Sequence, residues 1–547
     1  MRLHSLKLNP RVHLAIIALV GIFLCLPMLL RGFPAYSHDG WAHALWSVNF
    51  SNQFWAGDLY PRWLAGLNKG LGSPAFFFYP PLPYYLTSLF KPLSGFDAEG
   101  WWRLGFASLI AVMAAGWFAY LWLSRFVDRS IACAGAVFYT TLPYHLIVDL
   151  YIRGAFAELF AFVWMPLILY FASRLRERSR LATPGLAVSY ALLIFSHLPV
   201  ALIFTPVPVS YVCLTAESNR IRTTFEAAAA MILGAGLAAI YLLPAIGLRE
   251  FVSMREMQTG HTNFENWFLF SGFALRELGT QLSLIAAGSL LLAGCCFAIG
   301  ARSSAHQLQR ENRFWTAVAL LAFLIMTPLG QPVWKLLPIL QNIQFPFRFH
   351  TVLAVANTML FALALKSTGK RKLLGRIVMA TALVFFIATA GYGWRQYKIH
   401  GQLSATKNDL VANNMDAPEY RPRWAEKESL ALTALQPGQV NVVEGSAETA
   451  IESWQPGKIA VLVNADSSAT VDVHQLFFPG WQWRLDGSSI FQDAQPSPSG
   501  LVRIALPVGK HRVELRLNAT RTERAGRWIS AICFGLLIMF CLIRRSH

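Results

Sequence analysis

The chain has 547 residues, of which 55% are hydrophobic and only 14% charged, and its mean hydropathy is +0.43. That balance excludes a soluble protein of several domains and places most of the chain in lipid. The formal net charge of +18 does not indicate nucleic acid, because the basic residues fall in short clusters between apolar runs, where they act as topology signals.

The N-terminus, Met1 to Arg11 and then an apolar run to Leu30, reads as an uncleaved anchor, since the run is too long for a signal peptide and no small-residue cleavage site follows it. Apolar spans follow at 104–123, 131–148, 154–173, 182–198, 199–215, 227–246, 279–300, 314–330, 351–366, 374–393 and 527–543. With the first span at 12–31 they make about twelve transmembrane helices, the pair around Leu198-Pro199 being short in each half. The connections expected inside carry the charge: Arg174, Arg176, Arg178 and Arg180 in one, Lys370, Arg371 and Lys372 in another, and Arg544-Arg545 at the tail. The excess of basic residues in these loops puts both termini in the cytoplasm and leaves four larger segments outside, at 32–103, 247–278, 331–350 and 394–526. All seven cysteines lie in apolar runs, so no disulfide framework or zinc-finger spacing exists.

The first outer loop, 32–103, carries Ser37-His38-Asp39-Gly40-Trp41-Ala42-His43 just beyond the first span. If Asp39 opens a helix, His43 lies one turn further on the same face, an arrangement suited to a general base with a helper or to half of a metal site. The plain alternative is an N-cap at Asp39 with His38 in a solvated loop. Downstream come Asp58-Leu59-Tyr60-Pro61-Arg62-Trp63, Asn68-Lys69-Gly70-Leu71-Gly72-Ser73-Pro74 and an aromatic, proline-rich run from Phe76 to Tyr85. Trp and Tyr favour the headgroup level, so the loop is expected to lie along the membrane as short amphipathic helices, with Arg62 and Lys69 placed for an anionic headgroup.

Further polar residues sit at the outer ends of spans. Arg153 and Glu158 begin an otherwise apolar helix, either as a structural pair or as substrate contacts. His197 ends another span and reads first as a packing residue. In Phe345-Pro346-Phe347-Arg348-Phe349 the Arg348 fork stands between aromatics at a membrane surface, suited to a phosphate or pyrophosphate, or else to interfacial snorkelling. The hydrophilic stretch 394–526 differs in kind. Alternation at Ile459 to Asn464 and Arg512 to Leu517, with turns at Gln455-Pro456-Gly457, Asp486-Gly487 and Val508-Gly509-Lys510, predicts an extracytoplasmic antiparallel β-sandwich tethered by a helix at each end. The chain thus divides into a transmembrane part at 1–393, a β-rich part at 394–526, and a last helix with a short tail at 527–547.

Taken together, Asp39 with His43, Tyr60-Pro61-Arg62-Trp63, Gly70 to Pro74, Phe78-Tyr79-Pro80-Pro81-Leu82-Pro83-Tyr84-Tyr85, Tyr151-Ile152-Arg153-Gly154-Ala155 with Glu158, the Arg348 motif and Phe478-Pro479-Gly480-Trp481 resemble the bacterial membrane proteins called YfhO-like or 6-pyruvoyl-tetrahydropterin synthase-related. That label says nothing about pterin chemistry. Such proteins are similar in turn to the GT-C class of integral membrane glycosyltransferases, so the resemblance implies a GT-C-like helical fold in the bacterial cytoplasmic (inner) membrane. It also implies a polyprenyl-phosphate sugar donor and an extracytoplasmic glycan, lipid or protein acceptor. It makes Asp39 the catalytic carboxylate. One departure is Pro346-Phe347-Arg348, where Pro-Trp-Arg is expected; the arginine is kept.

The combined expectation is a catalytic set of Asp39, His43 and His38, with Arg62, Lys69, Tyr79, Arg153, Glu158, His197 and Arg348 binding substrate or phosphate. No cofactor is assigned beyond a divalent ion that Asp39 and His43 could help to hold, a weak signal on two His and one Asp. A flippase or other transporter of lipid-linked sugar and a non-catalytic envelope-assembly protein are the alternatives, although the chain shows no internal repeat of the transporter kind.

Overall fold

A computed structural model describes residues 9–95, 97, 99–177, 179–253, 259–271, 276–303, 305–368, 372–399, 404–428 and 435–543. Of the basic topology signals, Arg178, Lys370, Arg371 and Arg544-Arg545 lie outside the described residues. Among the described residues eight helices are long and apolar enough to cross a membrane, or up to ten if each of two bent pairs is one span. Two of the expected twelve spans stand outside that count. Ala182–Ser196 is apolar but only 15 residues long, and in the place of the eleventh span stands a 28-residue helix, Lys372–Ile399. The two bent pairs are Arg220–Leu237 with Ala239–Gly247, which turns by 74°, and His306–Met326 with Pro328–Leu336, which turns by 89°.

Chain chemistry sets several of these ends. Pro10 opens the first helix, Pro10–Arg31, where a missing N–H costs nothing, and the Asn9 side chain accepts from Arg11 N at 3.0 Å. The break around Leu198-Pro199 is capped by His197, whose Nδ1 accepts from Val200 N at 3.2 Å at the head of Leu198–Phe204. The third expected span continues past Pro143 as a wide π-helical segment, Tyr144–Arg153, ending at Gly154 in the left-handed region. That wide turn brings Tyr144, Asp149 and Arg153 into the protein interior. Phe156–Leu175 and Pro346–Thr368 form the most buried centre of the bundle, and Arg521–Ile543 lies at its edge.

The first outer loop is itself folded, with helices at Gly40–Trp55, Ala75–Phe78 and Leu82–Leu89. Beyond the bundle the described residues form nine strands in two antiparallel sheets: β1 (Val440–Glu444), β2 (Ala447–Gln455), β3 (Lys458–Ala465), β4 (Ala469–Leu476), β5 (Trp481–Leu485), β6 (Gln492–Asp493), β7 (Gln495–Pro496), β8 (Leu501–Leu506) and β9 (Gly509–Leu517). One sheet runs β1-β4-β8-β7 and the other β2-β3-β9-β5-β6. The register Val461↔Val513 and Ile459↔Leu515 puts the alternating apolar positions on one buried face, against Val471, Val473 and Ile504 of the other sheet. The expected sandwich is therefore present, but it is no free tether. Its core includes Trp63, Leu71 and Phe77 of the first loop. Trp63 meets Trp481 edge-on at 5.9 Å and Phe77 meets Phe478 at 5.0 Å. Leu71 O accepts from Leu476 N at 2.8 Å. Gly72 makes this approach feasible: its φ is +87°, and a Cβ there would lie 2.4 Å from the Trp63 ring.

Candidate active site

The turn Pro34 to Gly40 is closed by Ser37 Oγ donating to Pro34 O at 2.6 Å. It is pinned to the end of the π segment, His38 N donating to Ile152 O at 3.1 Å and Asp39 N to Arg153 O at 2.8 Å. The close approach depends on Gly154, with φ +65°, where a Cβ would stand 2.2 Å from Ser37 Oγ. Asp39 occupies the N-cap position of Gly40–Trp55, yet its side chain makes no capping bond. Its carboxylate is exposed and has no hydrogen-bond partner among the described residues. Capping, the plain alternative, is thus not what this side chain does.

His43 lies one turn on and faces inward. It is 2% exposed, its Nδ1 is 2.6 Å from the Tyr84 hydroxyl, and burial pulls its pKa down to about 4, so the ring is neutral. His38 is exposed. Asp39 and His43 thus diverge, one toward solvent and one into the aromatic packing of Trp46, Tyr79 and Tyr84. Among the described residues no three His, Cys, Asp or Glu side chains converge to hold a metal ion. Asp39 and His43, the two residues expected to help hold a divalent ion, do not converge on one metal position.

Behind Asp39 stands a buried charge cluster centred on Glu158. Arg153 Nη1 donates to Asp149 at 2.7 Å and to Glu158 at 2.9 Å. Arg348 Nε donates to Glu158 at 3.2 Å, and Arg348 Nη1 donates to Ile343 O. The Tyr144 hydroxyl donates to the second oxygen of Glu158, Oε1, at 2.7 Å, and His197 Nε2 stands 4.0 Å from Oε2, the oxygen the two arginines share. Both guanidiniums lie over aromatic rings, Arg153 over Phe347 at 5.2 Å and Arg348 over Phe345 at 5.1 Å. The expected pair Arg153 and Glu158 is real, and Arg348 joins it from far along the chain. Asp149 Oδ2 is buried and meets no donor among the described residues. Tyr79, half-buried, is within electrostatic reach of Asp39, Arg153, Glu158 and Arg348 together.

Two expected phosphate contacts sit elsewhere. Arg62 is ion-paired with Glu523 at the base of the last helix and lies over Phe77 at 5.1 Å. Lys69 has a positive φ in the tight turn Asn68–Gly70, which packs at Gly70 against Pro437. Sequence reasoning missed four participants. Asp149 was visible through its i,i+4 spacing to Arg153; Tyr144 carried no signal. Lys407 and Asp416 belong to the connection between bundle and sheets. Lys407 Nζ donates to Ser37 O. Asp416, fully buried, accepts from Trp46 Nε1 at 2.7 Å and from Ser73 Oγ, tying Gly40–Trp55 to the neighbouring loop.

The chain is similar in structure to the mycobacterial arabinofuranosyltransferase AftD, with a TM-score of 0.46 and 18% identity over 72% of this chain and 27% of that one. It is similar also to the Archaeoglobus fulgidus oligosaccharyltransferase solved with Zn and sulfate, with a TM-score of 0.38 and 14% identity over 76% and 54% of the two chains. ArnT from Cupriavidus metallidurans bound to undecaprenyl phosphate gives a TM-score of 0.31 and 13% identity over 75% and 96%. The chain spans about a quarter of the length of AftD. No curated protein matches it in sequence. The 6-pyruvoyl-tetrahydropterin synthase related domain, described as a membrane protein, matches residues 76–395, more than half of the chain, and the protein therefore belongs to that family of membrane proteins.

Proposed function

We propose that this membrane protein is a glycosyltransferase that moves a sugar from a polyprenyl-phosphate carrier to an acceptor outside the cytoplasm. The observation that carries the reading is Asp39, an exposed carboxylate with no hydrogen-bond partner among the described residues, whose own backbone is bonded to Arg153 of the buried Glu158 cluster. An uncommitted base beside prepositioned cations is what displacement at a phosphate-activated carbon needs. The acceptor hydroxyl gives its proton to Asp39 while its oxygen bonds to the anomeric carbon. The bond from that carbon to the phosphate oxygen breaks, the electron pair leaves on the phosphate, and the configuration inverts. Arg348, with Arg153 behind it, stabilises the departing charge. Tyr79, within electrostatic reach of both centres, orients the sugar. His43, neutral and fixed to Tyr84, holds the wall of the site rather than moving protons.

In this reading the Asp39 loop and the β-sheets face the outside of the bacterial cytoplasmic membrane, and the basic connections face inward, supported by the charge distribution of the short loops. Sugar transfer by the purified protein in nanodiscs, with radiolabelled polyprenyl-phosphate sugars and envelope glycolipid as acceptor, tests it. Transfer by the wild type is expected to fall by roughly 10²- to 10⁴-fold in Asp39→Asn. A folded Asp39→Asn protein with undiminished transfer removes the assignment.

A further inference from the structure

The connection from bundle to sheets crosses directly over the Asp39 loop. Ser404 caps the short helix Ala405–Ala412, its Oγ accepting from Lys407 N at 3.4 Å. One turn of that helix projects Lys407, whose ammonium donates to Ser37 O two residues before Asp39. Further along, Asn414 accepts from Asn49 Nδ2 at 3.1 Å and its own backbone carbonyl accepts from Asn68 N at 2.7 Å. Asp416 then takes the Trp46 and Ser73 donors. The segment is fastened to the first loop at Asn414 and Asp416, just after Lys407's helix, so the position of this cation is fixed by more than its own bond.

The charges facing Lys407 are Asp39, and His38 on the same turn, with Arg153 behind them. Ser37 O uses one of the three donors an ammonium carries, and no other bond of Lys407 exists among the described residues. Burial also disfavours the ammonium, lowering its pKa, so an anionic partner at this point gains more than one in bulk water. In an inverting displacement the departing phosphate and the attacking hydroxyl stand on opposite faces of the sugar. Arg348 and Glu158 belong to the phosphate side and Asp39 to the acceptor side. Lys407 is on the acceptor side.

Resting on the glycosyltransferase reading for the identity of the two sides, we infer that Lys407 is a specificity-determining residue that binds an anionic group, a phosphate or a carboxylate, next to the accepting hydroxyl. The acceptor class is thus an acidic glycan or glycolipid rather than a neutral one. Lys407 contributes a charge and two N–H donors that meet no acceptor among the described residues, and a neutral acceptor would make little use of that charge beside Asp39.

Equilibrium binding to the full-length protein in phosphatidylcholine nanodiscs tests this without requiring turnover. The probes are glucose, glucose 6-phosphate and glucuronate, applied to the wild type, Lys407→Gln and Lys407→Arg. At least one acidic sugar is expected to bind the wild type about tenfold more tightly than glucose, the size of one charge-assisted hydrogen bond. The preference disappears in Lys407→Gln, survives in Lys407→Arg, and weakens with added salt only where the cation is present. Which of the two acids is favoured tells phosphate from carboxylate. Equal binding of glucose and both acids by the wild type, or an acid preference unchanged in Lys407→Gln, overturns the proposal. If Lys407 is only a strut, Lys407→Gln lowers the melting temperature without altering the ratio of acidic to neutral binding, which also overturns it. Absence of sugar transfer by the wild type bears on the enzyme reading alone, because the binding ratio is measured separately.

Discussion

Glu158 is one anion shared by two arginines and a tyrosine, all buried, so its neighbours are not independent. Replacing Arg348 with alanine leaves Arg153 to balance both Glu158 and Asp149. Removing one member of a buried ionic set typically costs about 3–5 kcal/mol. Arg348→Ala is therefore expected to lower the thermal midpoint as well as weaken binding of polyprenyl phosphate. Arg348→Lys keeps the charge without the planar fork, and is expected to recover more of the stability than of the affinity. A folded variant whose lipid-phosphate affinity matches the wild type removes Arg348 from the phosphate site. His43 gives a pH signature. Its folded pKa of about 4 lies below the ordinary value of 6.5, so the unfolded chain takes up a proton that the folded site refuses. Stability is fully present above pH 6.5 and is lost as pH falls toward 4, by about 3 kcal/mol in all. Denaturation profiles at pH 7 and 4.5 should converge in His43→Gln relative to the wild type. At this scale the sequence was informative where chemistry is local. Asp39, Arg153 and Glu158 stood out as ionisable groups at span ends. The joining of Arg348 to Glu158 and of Lys407 to Ser37 spans 190 and 370 positions, and no pattern in either stretch announces it.

Among the elements, the π segment Tyr144–Arg153 decides the geometry of the site, since its wide turn and Gly154 receive the Asp39 loop. Gly154→Ala places a methyl 2.2 Å from Ser37 Oγ and strains a positive φ. A displacement of about 1 Å is enough to cost on the order of 10² in rate. Gly154→Ala is expected to lose most transfer while circular dichroism shows unchanged helix content and Arg348-dependent lipid-phosphate binding persists. Loss of helix content alongside activity would instead assign Gly154 to the fold. The apolar runs were legible in the sequence because burial and lipid demand the same residues. Their bends were not: the turn at Ala238 has no proline at the break, and hydropathy alone runs straight through it. The β-strands were legible at β3, an apolar run bounded by turns, and at β9, where Val513, Leu515 and Leu517 alternate with polar residues, and less so at β6 and β7, which are two residues each.

At the scale of the whole molecule, the bundle and the sheets share one apolar seam, Trp63, Leu71 and Phe77 against Phe478 and Trp481. The sheets are thus packed with residues of the first loop, far on the other side of the boundary that composition suggests at residue 393. A secreted fragment of residues 435–520 loses that covering, and is expected to bind a hydrophobic dye and to unfold well below the intact protein. A fragment that is monomeric and as stable as the intact protein would show the seam to be dispensable. The partners of Asp416 carry a consequence for synthesis. Trp46 and Ser73 wait for an acceptor 370 and 343 positions later in the chain. At roughly 5–20 residues per second, the ribosome needs on the order of tens of seconds to deliver it. During that interval the Asp39 loop, extracytoplasmic in the proposed topology, is without its fastening, and a chain halted before residue 404 should be cleaved there by added protease while the finished protein resists.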